Sequence, residues 1–311
     1  MSDAKAIDLM NYPLQCMRVM NLDDSPEFRQ MAQTTFAALF PTGRFPTAPG
    51  FPANEVEEKL YKHTYGSLFN PYKTVDEMVE AMDKFGYDKL VISAAKMWSW
   101  RMKLDFIWDF TIEQVKEIMD KAGHDRIIGG AGYNPFNIEE SLKIIEKAVK
   151  EYGFKYVYIH PHGFGLPPNH KLFYPLYAKC NELGIPVGMQ IGHSAEPLPS
   201  WVGNPVNIDE VALDFPNLKI NLSHTGYPWI DEWCSMVWKH PNVYGDISAY
   251  MPRGLDERII KFMDGSRGRN KVMFGTNGMG LGLVQQLRDL EIRDEAKQRI
   301  LRDNALEFFG L

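Results

Sequence analysis

NIEESLKIIEKAVKEYGFKYVYIHP, residues 137–161, contains the unit from which the fold can be read. Leu142, Ile145, Ala148 and Val149 recur at helical spacing, so one face of a helix is apolar. Gly153 follows as a stop, since glycine takes the left-handed backbone that ends a helix at little cost. KYVYIHP then reads as a short, fully apolar strand of aromatic and β-branched residues.

The alternation continues on both sides. From residue 86 onward, strand-like runs appear at KLVISA (89–94), RIIGGAG (126–132), KYVYIHP (155–161) and IPVGMQIG (185–192). LKINLSH (218–224), NVYGDIS (242–248) and KVMFGT (271–276) follow. Helical patterns lie between them at 111–122, 138–151, 172–183, 207–214 and 285–290. With KAIDLM (5–10) there are eight strands, and those from the second onward start about thirty residues apart, the length of a βα unit. The expected fold is α/β, a (β/α)8 TIM barrel over a single domain, residues 1–311; an open sheet of six or seven strands is the alternative. Residues 11–73 break the repeat. They hold two expected helices, 26–39 and 54–63, around the loop LFPTGRFPTAPGFP. An insertion after the first strand lies on the catalytic face of a barrel, where it serves as lid or subunit contact.

Composition narrows the function. Net charge is −6 and the basic residues are interspersed with acids, which disfavours a nucleic-acid partner. No window reaches the roughly 18 apolar residues of a membrane span, and the start carries no basic, then apolar, leader. Cys16, Cys180 and Cys234 are odd in number and lack CxxC spacing, fitting reduced thiols and a cytoplasmic location. GMGLG at 278–282 lacks GxGxxG spacing, and no GxSxG elbow is present. A small-molecule substrate remains the expected partner.

Barrel chemistry gathers at the C-terminal strand ends. The polar residues there are Asp8 and Tyr12, His160 and His162, Gln190 and His193, His224, Asp246, and Asn277. Four of the eight histidines thus fall on three consecutive strand ends, the strongest physical signal in the chain. Each residue also has a structural reading. His224 can bond a backbone carbonyl, His160 can orient the loop begun by Pro161, and His162 and His193 can be solvated loop residues. Asp246 can cap a turn, and Gln190, if it faces inward, needs a partner.

PLYAKCNELGIPVGMQIGHS, EVALDFPNLKINLSHTGYPW, KHPNVYGDISAY, KVMFGTN and RILRDNALEFFGL together resemble the amidohydrolase superfamily. The branch is that of aminocarboxymuconate-semialdehyde decarboxylase and related lactonases and resorcylate decarboxylases. The resemblance implies Asp-x-His-x-His at the end of the first strand, holding a divalent metal. Here the stretch is IDLMNYP, with Met10 and Tyr12 at the histidine positions. The histidine expected next aligns with Gln190, His224 is kept, and the metal-binding aspartate of the last strand aligns with Asn277. A thioether, a phenol and two neutral amides replace the usual donors, so no metal or other cofactor is expected. The alternative is a relocated zinc site on His160, His193 and His224.

Without metal, His224 is the expected base, with Asp246 or Asp8 orienting it. Asn277, Gln190 and Tyr12 have donors to polarise a carbonyl. His160, His162 and His193 are placed to bind substrate, as are Trp98 and Arg101 in AAKMWSWRMK, since arginine beside aromatics suits a planar acid. The expected activity is hydrolysis of a small carboxylated cyclic or aromatic compound: a lactone, ester or ring-cleavage product. A decarboxylase or C–C lyase, and a non-catalytic small-molecule binder, are the alternatives. A homodimer is expected from the relatives.

Overall fold

The computed structural model describes residues 4–13, 25–35, 37, 42, 50, 52–64, 72, 74–278 and 282–311. Most of the loop 39–52, Cys16, and the middle of GMGLG lie outside them, and so does the expected lid or subunit contact of that loop.

The barrel strands are β1 (Ala6–Asn11), β2 (Tyr87–Ser93), β5 (Ile127–Ala131), β6 (Tyr156–Ile159), β7 (Val187–Gln190), β8 (Ile220–Ser223), β9 (Val243–Asp246) and β10 (Val272–Met273). They pair in parallel in that order. Leu9 N donates to Phe274 O (3.1 Å) and brings the first strand against the last. Asp8 reinforces the seam, accepting from Thr276 N (2.8 Å) and Thr276 Oγ1 (2.6 Å). The (β/α)8 barrel expected from the repeat is the observed fold.

Local chemistry explains the connecting helices. Thr111 and Gln114 form a reciprocal capping box at the start of the helix Ile112–Ala122, satisfying two backbone donors. Asn137 precedes Ile138–Tyr152, which buries Ser141, Ile145 and Ala148 and stops at left-handed Gly153. Strand residues of alternate parity fill the barrel. The Tyr156 ring occupies so much of the interior that a Cβ at Gly188, one strand away, would sit 1.5 Å from its hydroxyl.

Three local readings need correction. The first insertion helix is Pro26–Gln33 rather than 26–39; it ends where Thr34 Oγ1 bonds back to Gln30 O (2.8 Å). A helix at Val75–Phe85, capped by Thr74, was not expected. The segment after β2, where the sequence shows no strand run, forms an antiparallel hairpin of β3 (Lys96–Trp98) and β4 (Phe106–Asp109). It is docked by buried Glu27 of the insertion helix, which accepts from Ser99 Oγ (2.8 Å) and Arg101 N (3.0 Å). Among the described residues no helix is long and apolar enough to cross a membrane.

Candidate active site

Four non-glycine residues at the C-terminal ends of the last three strands have positive φ: His224 (77°), Thr225 (59°), Ala249 (67°) and Asn277 (54°). Such backbone costs on the order of 1 kcal/mol or more per residue and persists only where the surroundings over-determine it. Asp246 supplies that constraint. Its Oδ2 accepts from Asn221 Nδ2 and Ser223 Oγ (both 2.6 Å), and its Oδ1 from Ser248 N (2.9 Å) and Ser248 Oγ. Gly275 lets this knot close, because a Cβ there would lie 2.8 Å from that of Ser248. In the turn after β10, Asn277 and Gly278 take the left-handed backbone and Gly275 does not.

Ser248 connects the knot to His224. His224 Nδ1 lies 2.8 Å from Ser248 Oγ and 3.1 Å from Ser248 O. The carbonyl can only accept, and the hydroxyl proton goes to Asp246, so Nδ1 carries the hydrogen and Nε2 the lone pair. Nε2 has no hydrogen-bond partner among the described residues. Burial depresses the His224 pKa, opposed by the charge of Asp246. A neutral imidazole of fixed tautomer with a bare nitrogen results.

The facing side is built from β6 and β7. His160 is buried, and neither ring nitrogen has a hydrogen bond. Gln190 lies beside it, yet gives its amide hydrogen to Ser194 Oγ (3.1 Å). Burial, with His162 and His224 close by, holds His160 well below the usual imidazole range. Pro161 ends the strand and starts the short helix Pro161–Phe164, so His162 turns away from the strand face of His160; their rings are 5.4 Å apart. His162 is buried rather than solvated, donating Nε2–H to Gly192 O (2.7 Å) and leaving Nδ1 bare; burial lowers its pKa to about 4. His193 is exposed, edge-on to Tyr227 at 5.0 Å.

Tyr12 follows directly on β1 and is buried. Its ring meets Trp108 at 4.4 Å, and Phe28 of the insertion helix meets Trp108 at 5.4 Å. Burial raises the Tyr12 pKa well above that of a free phenol, helped by the charges of Glu196 and Asp246. Asn277 lies at the rim, half-buried, with Oδ1 bare.

Two expected substrate contacts go elsewhere. Arg101 is exposed and bonds Gln30 of the insertion helix. Trp98 packs on Phe106 (5.2 Å), Phe136 (5.5 Å) and Phe164 (6.4 Å). The indole against Tyr12 is instead that of Trp108 on β4, where no strand was expected. Ser248, Glu196 and Ser194 were also missed. None had a sequence signal beyond lying within six residues of Asp246 or Gln190.

The metal implied by the resemblance does not suit these residues. Met10 and Tyr12 are buried at the two histidine positions, and Asp8 spends its oxygens on Thr276 and Met10. His160, His193 and His224 are not brought together as a ligand set: among the described residues no group of three His, Cys, Asp or Glu side chains is placed to hold an ion.

Solved structures share the architecture. An uncharacterised TIM-barrel protein from Bordetella bronchiseptica aligns at 22% identity over 98% of both chains, with a TM-score of 0.70. A 2,6-dihydroxybenzoate decarboxylase in complex with 2,6-dihydroxybenzoate aligns at 15% identity over 99% of this chain and 100% of the other, TM-score 0.64. The 5-carboxyvanillate decarboxylase of Novosphingobium aromaticivorans, complexed with manganese and a nitrobenzoic acid, aligns at 16% over 99% and 96%, TM-score 0.62. At these identities the likeness is one of fold. No curated protein matches. The sequence profile described as Amidohydrolase matches residues 105–311, well over half the chain, and the chain belongs to the amidohydrolase family.

Proposed function

We propose that the protein hydrolyses a small cyclic or aromatic ester or lactone without a metal ion. The observation carrying this reading is the Asp246–Ser248–His224 relay, which presents a neutral Nε2 to the mouth. Nε2 takes a proton from water as the water oxygen bonds to the substrate carbonyl carbon. Positioned N–H groups of His160 and Asn277 stabilise the developing oxyanion. The aromatic wall of Tyr12, Trp108 and Phe28 gives a ring its resting face. A carboxyl on the substrate loses the support it had from Arg101, which bonds Gln30.

Decarboxylation is the second reading, favoured by the neighbours named as decarboxylases. A panel of aryl esters, lactones and hydroxybenzoates, assayed with metal analysis of the same preparation, separates the two. Hydrolysis by metal-free protein, lowered about 10²–10⁴-fold in His224→Ala, is expected. Release of carbon dioxide dependent on bound manganese or zinc overturns the proposal.

A further inference from the structure

A second titratable group faces this mouth, and the relay does not use it. Glu196, on the loop after β7, is only 9% exposed. One oxygen accepts from Ser194 Oγ, the hydroxyl that receives Gln190, so the carboxyl is tied to the His160 side of the cavity. The carboxyl also takes a bond from its own backbone N–H, and no Lys, Arg or His pairs with the group among the described residues. The loop is held from above, where Thr35 Oγ1 bonds Ala195 O (3.4 Å). The titratable groups that face Glu196 from neighbouring elements are Glu27 of the insertion helix and the phenol of Tyr12, just past β1. Glu27 disfavours a negative charge there, and the Tyr12 phenol, its pKa raised well above the free value, is uncharged and offers no cation. Burial raises the Glu196 pKa against the bonds from Ser194 and from its own backbone N–H, and the charge of Glu27 adds to the rise. A buried carboxyl with no cation beside it keeps its proton more readily than a free one, as a proton donor requires.

We propose that Glu196 is the proton donor of the site, delivering its hydrogen to the leaving oxygen of the ester or lactone. This rests on the hydrolytic reading above. Water oxygen bonds to the carbonyl carbon as His224 Nε2 takes one proton, and the tetrahedral intermediate then collapses. The carbon–oxygen bond to the leaving group breaks, its electron pair stays on oxygen, and the Glu196 proton neutralises that oxygen. The products are an acid and an alcohol or phenol. Transfer of the His224 proton back to Glu196 through water resets the site, so no other reactant is consumed.

The leaving group provides the test. A nitrophenolate departs without help, whereas an alkoxide needs a proton. The full-length chain and Glu196→Gln are assayed on a nitrophenyl ester and an alkyl ester of one acid. The variant should keep nitrophenyl activity within about threefold and lose about 100-fold on the alkyl ester. Equal loss on both, or no loss on either, removes Glu196 from this role while leaving hydrolysis by His224 intact. If the wild type cleaves neither ester, the hydrolytic reading fails and this proposal falls with it. A wild-type series of graded leaving groups needs no variant: a shallow dependence of kcat/KM on leaving-group pKa is expected, and a steep one overturns the assignment.

Discussion

On the β8–β9 side of the mouth, Asp246 gathers four hydrogen bonds and passes one through Ser248 to His224; on the β6–β7 side, His160 lies buried with both ring nitrogens bare. The first half is cross-linked by its own bonds, with Asn221 Oδ1 left unpaired, and tolerates a run of left-handed residues because those bonds hold them. The second half leaves undone the bonds that a buried polar group is expected to make, at a cost of kilocalories each. A wall that accepts that cost is complementary to something the chain does not supply. The machinery that acts on water is thus prewired, and the surface that receives the substrate is left open.

Stability measurements on the two halves test this contrast most severely. Asp246→Ala removes the acceptor shared by Asn221, Ser223 and Ser248 in the barrel, and unfolding in urea should show a loss of about 3–5 kcal/mol. His160→Leu removes no bond comparable to these, since Gln190 beside the ring keeps its bond to Ser194. Its effect should stay within about 1 kcal/mol of zero, with either sign. Comparable losses for both variants would mean that the open half is not open.

A pH series sharpens the comparison, since two buried groups titrate with opposite sign. His162 has its pKa lowered from 6.5 to about 4, so between those values the unfolded chain binds the extra proton. The stability it contributes is full above 6.5 and falls by about 3 kcal/mol as the pH drops through 4. Asp8, on the closing seam, has its pKa raised from 3.8 to about 6 by burial, against the bonds from Thr276 and Met10. There the folded chain binds the extra proton, so its contribution is present below 3.8 and about 3 kcal/mol is lost as the pH rises through 6. Relative to wild type, His162→Gln should therefore gain stability as the medium is acidified from 6.5, and Asp8→Asn should lose it from 6 downward. Parallel profiles for the three proteins would show that neither group is titrating as its burial requires.

The barrel was legible because its signals are local. A strand such as YVYI and a helix such as Ile138–Tyr152 each announce themselves by spacing, and repetition at the length of a βα unit leaves few arrangements. The four strand-end histidines were legible for the same reason, since a barrel fixes where strand ends lie. The remainder of the site depends on distant partners. Glu27 meets Ser99 and Arg101 across more than 70 positions, and no pattern near AAKMWSWRMK foretells the docked hairpin that carries Trp108 to Tyr12. Ser248 and Glu196 look like loop residues until the fold places an imidazole or a buried wall beside them.

Arg101 gives the mildest and most discriminating prediction, because residue type and setting point in opposite directions. As a residue type, an arginine among tryptophans suits a carboxylate, and its removal would cost a hundredfold or so in substrate binding at a bidentate site. In its setting, the guanidinium is exposed and bonds the Gln30 amide, while the Glu27 bond at this position comes from the backbone N–H, which any residue but proline retains. Arg101→Ala should therefore change stability by no more than about 0.5 kcal/mol and kcat/KM by no more than about twofold. A KM raised strongly for acidic substrates only would bring the guanidinium into the mouth in the bound state, and the open wall would then have a charged edge supplied by the hairpin.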